Sequence, residues 1–528
     1  MLRLLACIAF TVFACVPAAQ AAPPVFFVDG HGWGHGIGMP QYGAQGYASR
    51  DGRKHDWILA HYYQGTTLGQ TSVGTVRILL AEGRTGLTIG SGTEFKVTDA
   101  RGRTFSLASG SHQLSSALRV RSKNGVLRTL ASPARFTRGS SHLRLGGRAY
   151  RGELVVRSSG GRLSAVNHVS LERYLYGVVP DEMPPSWHPE ALKAQAVAAR
   201  SYAVVSRKTG GTYDLFSDTR SQVYNGVPAE DSRATNAINA TKGQVVRHNG
   251  SVAWTFFHST SGGRTANIEH VWNTTPQPYL VSVADPHDDL SPYHNWGPFR
   301  YSAAAFRSKL GSSAPKGALV DATVARNASR RVSAVTAKGA LGNRQLAGTS
   351  FQAAFGLRSS WFTIGVLSLG GKASVKHGKK ATLTGIARNV GASAWLERRS
   401  PGGSWQRVRD VATGAVSVSV SPKATASFRL ASPKGKGAAH RVTVATAVSA
   451  QIGSARRAVR GAIGPGRGGV EVQVQRRVSG TWKTIARTTT AGDGSYVARF
   501  NVSNGNYRAT AKASPGHARG YSAVAQAG

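Results

Sequence analysis

One segment, residues 171–205, constrains this chain most, because it joins an isolated glutamate to an alanine-rich helix. Its sequence is LERYLYGVVPDEMPPSWHPEALKAQAVAARSYAVV. Proline is favourable in the first turn of a helix, where its missing N–H needs no partner, so the helix is predicted to begin at Pro189. Six alanines between residues 191 and 203 would let that helix approach a neighbouring element closely.

Glu182 stands before this helix and is followed by the apolar run MPPSW at 183–187. A β-rich run is predicted to end at residues 178–180, which would put Glu182 at a strand-to-helix junction. Burial among apolar side chains disfavours the charged form of a carboxyl group and raises its pKa. A glutamate in such a place can stay protonated near neutral pH and act as a general acid.

The chemistry of Glu182 depends on whether a second carboxylate lies nearby, because a glycoside hydrolase needs a partner carboxyl at a defined separation. In extended backbone the side chain of Asp181 would point the opposite way. Other carboxylates remain open as partners: Asp214, Asp218, Asp285, Asp288 and Asp289. Glu172 is interpreted as a structural residue at a helix end or in a buried hydrogen bond.

Ten short blocks along the chain resemble one known family. They are YRG at 150–152, VN at 166–167, LERYL at 171–175, GVV at 177–179, EMP at 182–184, EALKAQAVAARSYA at 190–203, SQVYNG at 221–226, FHSTSGG at 257–263, VW at 271–272 and GLRSSWF at 356–362. In this order they resemble the stage II sporulation protein D (SpoIID/LytB, amidase enhancer) domain family, over most of residues 26–364.

The resemblance implies an exported peptidoglycan lytic transglycosylase. Glu182 falls on the family's catalytic glutamate, which would act as general acid and then base at the N-acetylmuramic acid–N-acetylglucosamine bond. The sugar's own C6 hydroxyl would then close a 1,6-anhydro ring, so that no second carboxylate is required. The alternative within the family is a non-catalytic, wall-binding amidase enhancer that stimulates another cell-wall hydrolase. A wall-binding structural protein is a third reading.

Further residues are predicted to position the glycan. Lys193 and Arg200 lie seven residues apart, nearly two helical turns, and so share a face. Arg200 is expected either to pair with the lactyl carboxylate of muramic acid or to brace Glu182. The other predicted substrate-binding residues offer hydroxyl, amide, ring or backbone N–H groups: Tyr202, Gln222, Tyr224, Ser259, Thr260, Ser261 and Gly262.

No metal and no cofactor are predicted. Some relatives carry a cysteine-containing zinc site near the segment matching 257–263, but this chain has Ser261 where a thiolate would stand, and it has no HExxH pair. The histidines considered as ligands are His31, His35, His258 and His270.

The run GHGWGHGIGMPQYGA at 30–44 places glycine at five alternate positions, 30 to 38. We predict an extended strand with one bare backbone face, approached closely by another protein segment or by a sugar chain. A helix is predicted over 56–63. The block also resembles a signature that the family carries after the segment matching 360–364. We therefore interpret the domain as circularly permuted, with residues 30–63 folding beside 362–364.

The predicted fold class is α+β for a SpoIID-type catalytic domain, followed by two all-β immunoglobulin-like sandwiches. The boundaries are a signal peptide at 1–21, the SpoIID-like domain at 22–364 (β-rich 74–170, helix-containing 171–364), and sandwiches at 365–448 and 449–528. Both cysteines, Cys7 and Cys15, lie in the predicted signal, with a lipidated Cys15 as the weaker alternative. Localisation is expected to be secreted and associated with the cell wall.

Charge is concentrated at the C-terminal end. Residues 365–528 hold 26 Lys and Arg against 4 Asp and Glu, whereas residues 172–290 hold 10 against 12. A surface this basic favours a polyanionic partner. The expected partners are peptidoglycan strands, anionic wall polymers at the basic C-terminal region, and a wall amidase. Nucleic acid is not expected, because no nucleic-acid-binding motif accompanies the charge.

Overall fold

A computed structural model describes residues 21–528. The predicted signal peptide, with both cysteines, lies outside the described residues except for Ala21. The chain begins with four elements that lead towards the candidate site: β1 (Val25–His31), β2 (Met39–Pro40), α1 (Gln41–Asp51) and α2 (His55–Tyr62). The helix predicted over 56–63 is therefore present as α2, displaced by one residue.

The strand predicted through the alternating glycines is wrong beyond His31. Gly32, Gly34, Gly36 and Gly38 have φ angles of +76°, +114°, +86° and +69°, so the chain winds as a loop through left-handed backbone. Only glycine enters that region readily. Protein atoms press against the loop, and a Cβ at position 38 would lie 2.1 Å from the Phe256 carbonyl oxygen. Packing of protein, rather than of a sugar chain, accounts for the glycines.

An antiparallel β region follows, as predicted for residues 74–170. Its strands, with β3 preceding them, are β3 (Thr67–Gln70), β4 (Thr75–Arg84), β5 (Gly86–Ser91), β6 (Phe95–Thr98), β7 (Thr104–Leu107), β8 (Gly110–Ser115), β9 (Arg119–Arg121), β10 (Leu127–Thr129), β11 (Ala134–Thr137), β12 (Leu143–Leu145), β13 (Arg148–Tyr150), β14 (Glu153–Ser159) and β15 (Arg162–Ser170). Strands β4, β15, β14, β11, β6 and β7 are consecutive neighbours in one sheet, and β13, β12, β5 and β8 form a second. Apolar residues such as Phe95, Phe136 and Leu154 fill a shared core.

Helices and short strands make up the next region. The helices are α3 (Leu171–Tyr176), α4 (Val179–Glu182), α5 (Pro189–Ser206), α6 (Ser232–Ala240), α7 (Glu269–Trp272), α8 (Ala303–Leu310) and α9 (Gly348–Phe355). The strands are β16 (Leu215–Phe216), β17 (Gln244–His248), β18 (Ser251–Val252), β19 (Phe257–His258), β20 (Asn295–Ser302), β21 (Leu319–Arg326), β22 (Val332–Gly339) and β23 (Gly342–Ala347).

The helix α5 begins at Pro189, as the sequence predicts, and the His188 side chain caps it by accepting the Glu190 N–H at 3.2 Å. Its small residues Ala191, Ala194 and Ala198 lie in one core with residues of α1 and α2. The strand predicted to run to residue 180 is wrong: β15 ends at Ser170, and α3 and α4 carry the chain to Glu182.

The C-terminal third of the chain is all β. Its strands are β24 (Phe362–Gly371), β25 (Ser374–Lys376), β26 (Ala381–Arg388), β27 (Ala394–Arg399), β28 (Gln406–Val411), β29 (Gly414–Val420), β30 (Ala426–Ser432), β31 (Gly435–Lys436), β32 (His440–Ala445), β33 (Ala447–Val448), β34 (Gln451–Ile452), β35 (Ala458–Gly464), β36 (Glu471–Val478), β37 (Thr481–Thr489), β38 (Ser495–Arg499), β39 (Gly505–Ala511), β40 (Gly520–Tyr521) and β41 (Ala525–Ala527). Strands β24, β26 and β29 face the sheet β25-β32-β30-β27-β28 across one apolar core.

Strand β1 joins the C-terminal β region to the region that precedes it. It lies between β20 and β24 and pairs antiparallel with β24, Gly30 opposite Phe362 and Val25 opposite Leu367. Residues 30–63 therefore start beside 362–364, as the permutation hypothesis requires, although the permutation itself stays an interpretation. The boundary predicted at 364/365 falls inside β24. Because Val25 and Phe27 enter the core of the first sandwich, no linker separates the two regions there.

Candidate functional site

Glu182 is the last residue of α4, a single helical turn between α3 and α5. Met183, which follows it, is fully buried and anchors the turn in the core shared with α5. Glu182 itself is half-buried, whereas Asp181 is exposed and its carboxylate accepts a hydrogen bond from the Asn225 amide at 2.8 Å. The two neighbouring carboxyls therefore stand in different surroundings.

Burial raises the pKa of Glu182 to about 6, and the nearby charge of Asp181 acts in the same direction. Two polar neighbours oppose the rise, because the Val223 N–H and the Gln41 side chain stabilise the carboxylate. The effect of burial is larger, so the pKa of Glu182 remains above its usual value. A carboxyl of this kind exchanges its proton near neutral pH and can serve first as an acid and then as a base.

The N-terminal segment completes the site. Gln41, the first residue of α1, is buried and reaches Glu182, about 140 residues later in the chain. On the same helix, Tyr42 lies against Trp187 with ring centroids 4.7 Å apart, and the Gln45 side chain accepts the His188 N–H at 2.8 Å. Local sequence gives no sign that Gln41 belongs to the site, because its relation to Glu182 arises only from tertiary packing.

Four aromatic side chains, Tyr202, Trp254, Phe256 and Trp272, form what we call the aromatic lane. Tyr202 lies 5.8 Å from Trp254 and 5.9 Å from Phe256, and those two rings stack at 5.3 Å with an interplanar angle of 4°. Phe256 leads on to Trp272 at 4.7 Å, which is 43% exposed. Burial and the charge of Glu182 raise the pKa of Tyr202, so this phenol lies within electrostatic reach of the carboxyl. Only Tyr202 of these four residues is predicted from the sequence as a site residue. The aromatic residues Trp254 and Phe256, two positions apart, could have indicated that their rings share one face of the chain.

The prediction that Arg200 binds the glycan or braces Glu182 is wrong. Arg200 is fully buried and forms a two-pronged ion pair with Glu172, at 3.0 and 2.6 Å, and a further bond to the Gln244 carbonyl. Glu172 lies in the first turn of α3, so its structural interpretation agrees with this geometry. The sequence does not reveal this burial, because α6 and β17, which cover the guanidinium of Arg200, are distant from it in the chain.

Gln222 and Tyr224 are also unavailable to a sugar ring, which corrects their predicted role. Both side chains are buried, with Gln222 accepting the Tyr174 hydroxyl at 3.2 Å and Tyr224 donating to Asn167 at 2.9 Å. They flank Val223, and they thereby hold the backbone N–H that faces Glu182.

The predicted hydroxyl and N–H donors at 260–262 are likewise occupied. Ser261 and Gly262 donate their backbone N–H groups to the buried Asp288 carboxylate at 2.6 and 2.8 Å, and the Ser261 hydroxyl donates to Asp285 at 2.7 Å. Thr260 is buried beside Ser291. These groups cannot receive substrate while they hold this cluster.

The predicted binding residues Ser259 and Lys193, and the aspartates considered as partners of Glu182, are placed as follows in the structure. Ser259 is half-buried, and Lys193 forms an ion pair with Glu190 at 2.6 Å. Three of the candidate carboxylates are paired with arginines: Asp214 with Arg77, Asp218 with Arg220, and Asp289 with Arg50. With Asp285 and Asp288 in the buried cluster, every candidate partner for Glu182 is engaged elsewhere.

Within residues 21–528, no three His, Cys, Asp or Glu side chains come together as a metal site. His35 instead accepts the Ile37 N–H through Nδ1 and contacts the Phe257 carbonyl through Nε2, both at 3.0 Å. Nor does any helix in this range have the length and apolar character needed to cross a bilayer.

Residues 159–248, which include α3, α4 and α5, match the SpoIID family model, described as stage II sporulation protein. This region of the chain is therefore similar to the SpoIID family, as the sequence blocks predict.

Three curated proteins are similar to parts of the chain. The amidase enhancer of Bacillus subtilis is 43% identical over 114 residues, which cover 22% of this chain and 15% of that protein. The stage II sporulation protein D of Bacillus amyloliquefaciens is 34% identical over 217 residues, covering 38% of this chain and 61% of that protein. The protein of the same name from Bacillus subtilis is 37% identical over 164 residues, covering 28% and 47%. The chain thus spans between about one seventh and three fifths of the length of these relatives.

Proposed function

We propose that this chain is an exported, wall-associated lytic transglycosylase that cleaves peptidoglycan strands with Glu182 as its acid and base. The observation that carries the proposal is a half-buried carboxyl whose pKa stands at about 6, while the candidate partner aspartates among the described residues are engaged in other contacts. Protonated Glu182 gives its proton to the oxygen between N-acetylmuramic acid and N-acetylglucosamine, and the C1–O bond breaks. The C6 hydroxyl of the same muramic acid bonds to C1, and its proton returns to the Glu182 carboxylate.

The aromatic lane supports a polysaccharide as the substrate. Aromatic rings offer broad apolar faces against which the C–H faces of a pyranose can pack. The lane begins at Tyr202, near Glu182, and ends at Trp272, whose ring is open to solvent. A glycan strand laid along it would have one linkage beside the carboxyl.

A second candidate function is a non-catalytic enhancer of a wall amidase. It is favoured by the 43% identity to an amidase enhancer over 114 residues. In that case the lane would hold the glycan, a wall amidase would be the partner, and Glu182 would be dispensable.

The two functions are separated by incubating the purified chain with glycan strands and analysing the new ends by mass spectrometry. Release of 1,6-anhydro ends that disappears in Glu182→Gln supports the transglycosylase. Asp181→Asn is the matched control, because it removes a neighbouring carboxyl that is exposed, and it should retain activity. Absence of cleavage by the parent chain, together with stimulation of an added amidase, would favour the enhancer.

A further inference from the structure

A groove at the junction of the two C-terminal β domains has no role in the site around Glu182. Its volume is about 510 Å³, and we call it the junction groove. Ten residues line it: Lys372, Ser374, Val375, Lys376, Lys379, Ala445, Arg519, Gly520, Tyr521 and Ser522. Four are cationic, three carry hydroxyls, and none is acidic.

The four cations of the junction groove are not neutralised by the protein. Lys372, Lys376, Lys379 and Arg519 are exposed, and none forms a salt bridge within the described part of the chain. Elsewhere in the same domains, Arg429 pairs with Glu397 and Arg487 with Glu471. Charges of one sign gathered in a concave surface attract an oppositely charged ligand more strongly than the same charges dispersed.

The strand geometry places the polar side chains of the junction groove on one surface. Ser374 and Lys376 are alternate residues of β25, and alternate residues share a face. Arg519 and Tyr521 alternate about the buried Gly520 in the same way, and the Tyr521 ring is 42% exposed. The groove therefore presents two short rows of polar and charged groups, one from each domain.

Backbone hydrogen bonds hold the two rows in a fixed relation. Ala518 donates its N–H to the Val444 carbonyl at 2.8 Å, and Thr446 donates to the Ala518 carbonyl at 3.0 Å. A third bond, from the Thr425 N–H to the Gly516 carbonyl at 2.9 Å, joins the same domains. A ligand that contacts both rows would not have to order the domains first, which favours binding.

We propose that the junction groove binds a linear phosphodiester polymer of the polyol-phosphate class. Three of its four cations are lysines, which bind phosphate oxygens as compact point charges with several donors. Single-stranded nucleic acid is disfavoured, because such sites stack successive bases on several aromatic rings and this groove offers Tyr521 alone. The proposal locates the polyanion contact expected for the basic C-terminal region, and it does not depend on cleavage at Glu182.

The test is calorimetric titration of the full chain with poly(glycerol phosphate). A triple variant, Lys372→Gln, Lys376→Gln and Arg519→Gln, is expected to lose at least tenfold in affinity. The control triple, Arg344→Gln, Arg460→Gln and Arg499→Gln, removes the same charge from exposed positions outside the groove and should stay within twofold. An unchanged melting temperature and an unchanged circular-dichroism spectrum would show that the variants fold.

Four results would overturn the proposal. An equal loss in both triples would mean diffuse charge attraction rather than a site. Equal affinity for a polyuronate, or for single-stranded DNA of the same charge, would remove the specificity for polyol phosphate. Binding to a lipid-anchored polymer in vesicles but not to the free polymer would assign recognition to the anchor, whereas equal binding to both forms supports the groove.

Discussion

Replacing Gln41 by alanine should make the transglycosylase proposed here work at higher pH. With the pKa of Glu182 at about 6, only about one tenth of the carboxyl is protonated at pH 7. The Gln41 side chain favours the charged form, and it is the weakest of the four influences on this pKa. Its loss should therefore move the basic limb of the pH–rate profile upward, by up to about one pH unit.

The assay is the initial rate of 1,6-anhydro end formation between pH 5 and pH 8, measured for the parent chain and the variant. Gln45→Ala is the matched control, because Gln45 lies on the same helix but bonds to the His188 N–H instead of to Glu182. Its profile should keep the parent midpoint. A Gln41→Ala profile that falls at the same pH as the parent, or at lower pH, would refute the assignment of Gln41 to the carboxyl.

Three further predictions concern stability. Glu172→Gln leaves the buried guanidinium of Arg200 uncompensated and should cost about 3–5 kcal/mol in the free energy of unfolding, while the double change Glu172→Leu with Arg200→Met should recover much of it in thermal melts. Gly38→Ala should cost well over the roughly 1–2 kcal/mol expected of Gly52→Ala, since both have positive φ but only position 38 also meets a carbonyl oxygen, and equal melting temperatures would contradict this. Burial and the neighbouring charge of Asp288 raise the pKa of Asp285 to about 7 from 3.8, so the native state holds a proton that the unfolded state releases. The stability that this proton contributes is present below about pH 4 and is lost as the pH rises to about 7. The variant Asp285→Asn should therefore flatten the dependence of melting temperature on pH across this window.

Local sequence predicted the parts of the site that depend on neighbouring residues. Pro189 marks the start of α5 because its ring geometry is favourable only in the first turn, and the apolar run after Glu182 indicated the burial that raises the pKa of that carboxyl. Both features are properties of a few consecutive residues. They could therefore be inferred before any tertiary contact was known.

Long-range packing determines which polar side chains are buried and which reach the site, and local sequence does not reveal this. Arg200, Gln222 and Tyr224 have the side chains of a sugar-binding site, but segments far along the chain bury them and use their polar atoms. Gln41 reaches Glu182 only because α1 packs on α5, from which it is separated by the whole β-rich region. No periodicity within a short window carries that information.

The alternating glycines illustrate a different limit. A period of two is typical of a strand, and it says nothing about the sign of φ. At Gly32 and Gly38 the positive φ angles turn the chain into a loop pressed against the segment at 256–261. A run of alternating glycine therefore predicts close approach more safely than it predicts extended backbone.

The central claim is that a single carboxyl cleaves the glycan without the entry of water, and digestion in H₂¹⁸O tests it most directly. The account predicts new 1,6-anhydro ends that carry no ¹⁸O, formed by the parent chain and absent with Glu182→Gln. Ordinary reducing ends labelled with ¹⁸O would contradict it, because they would require a water nucleophile and a second catalytic group.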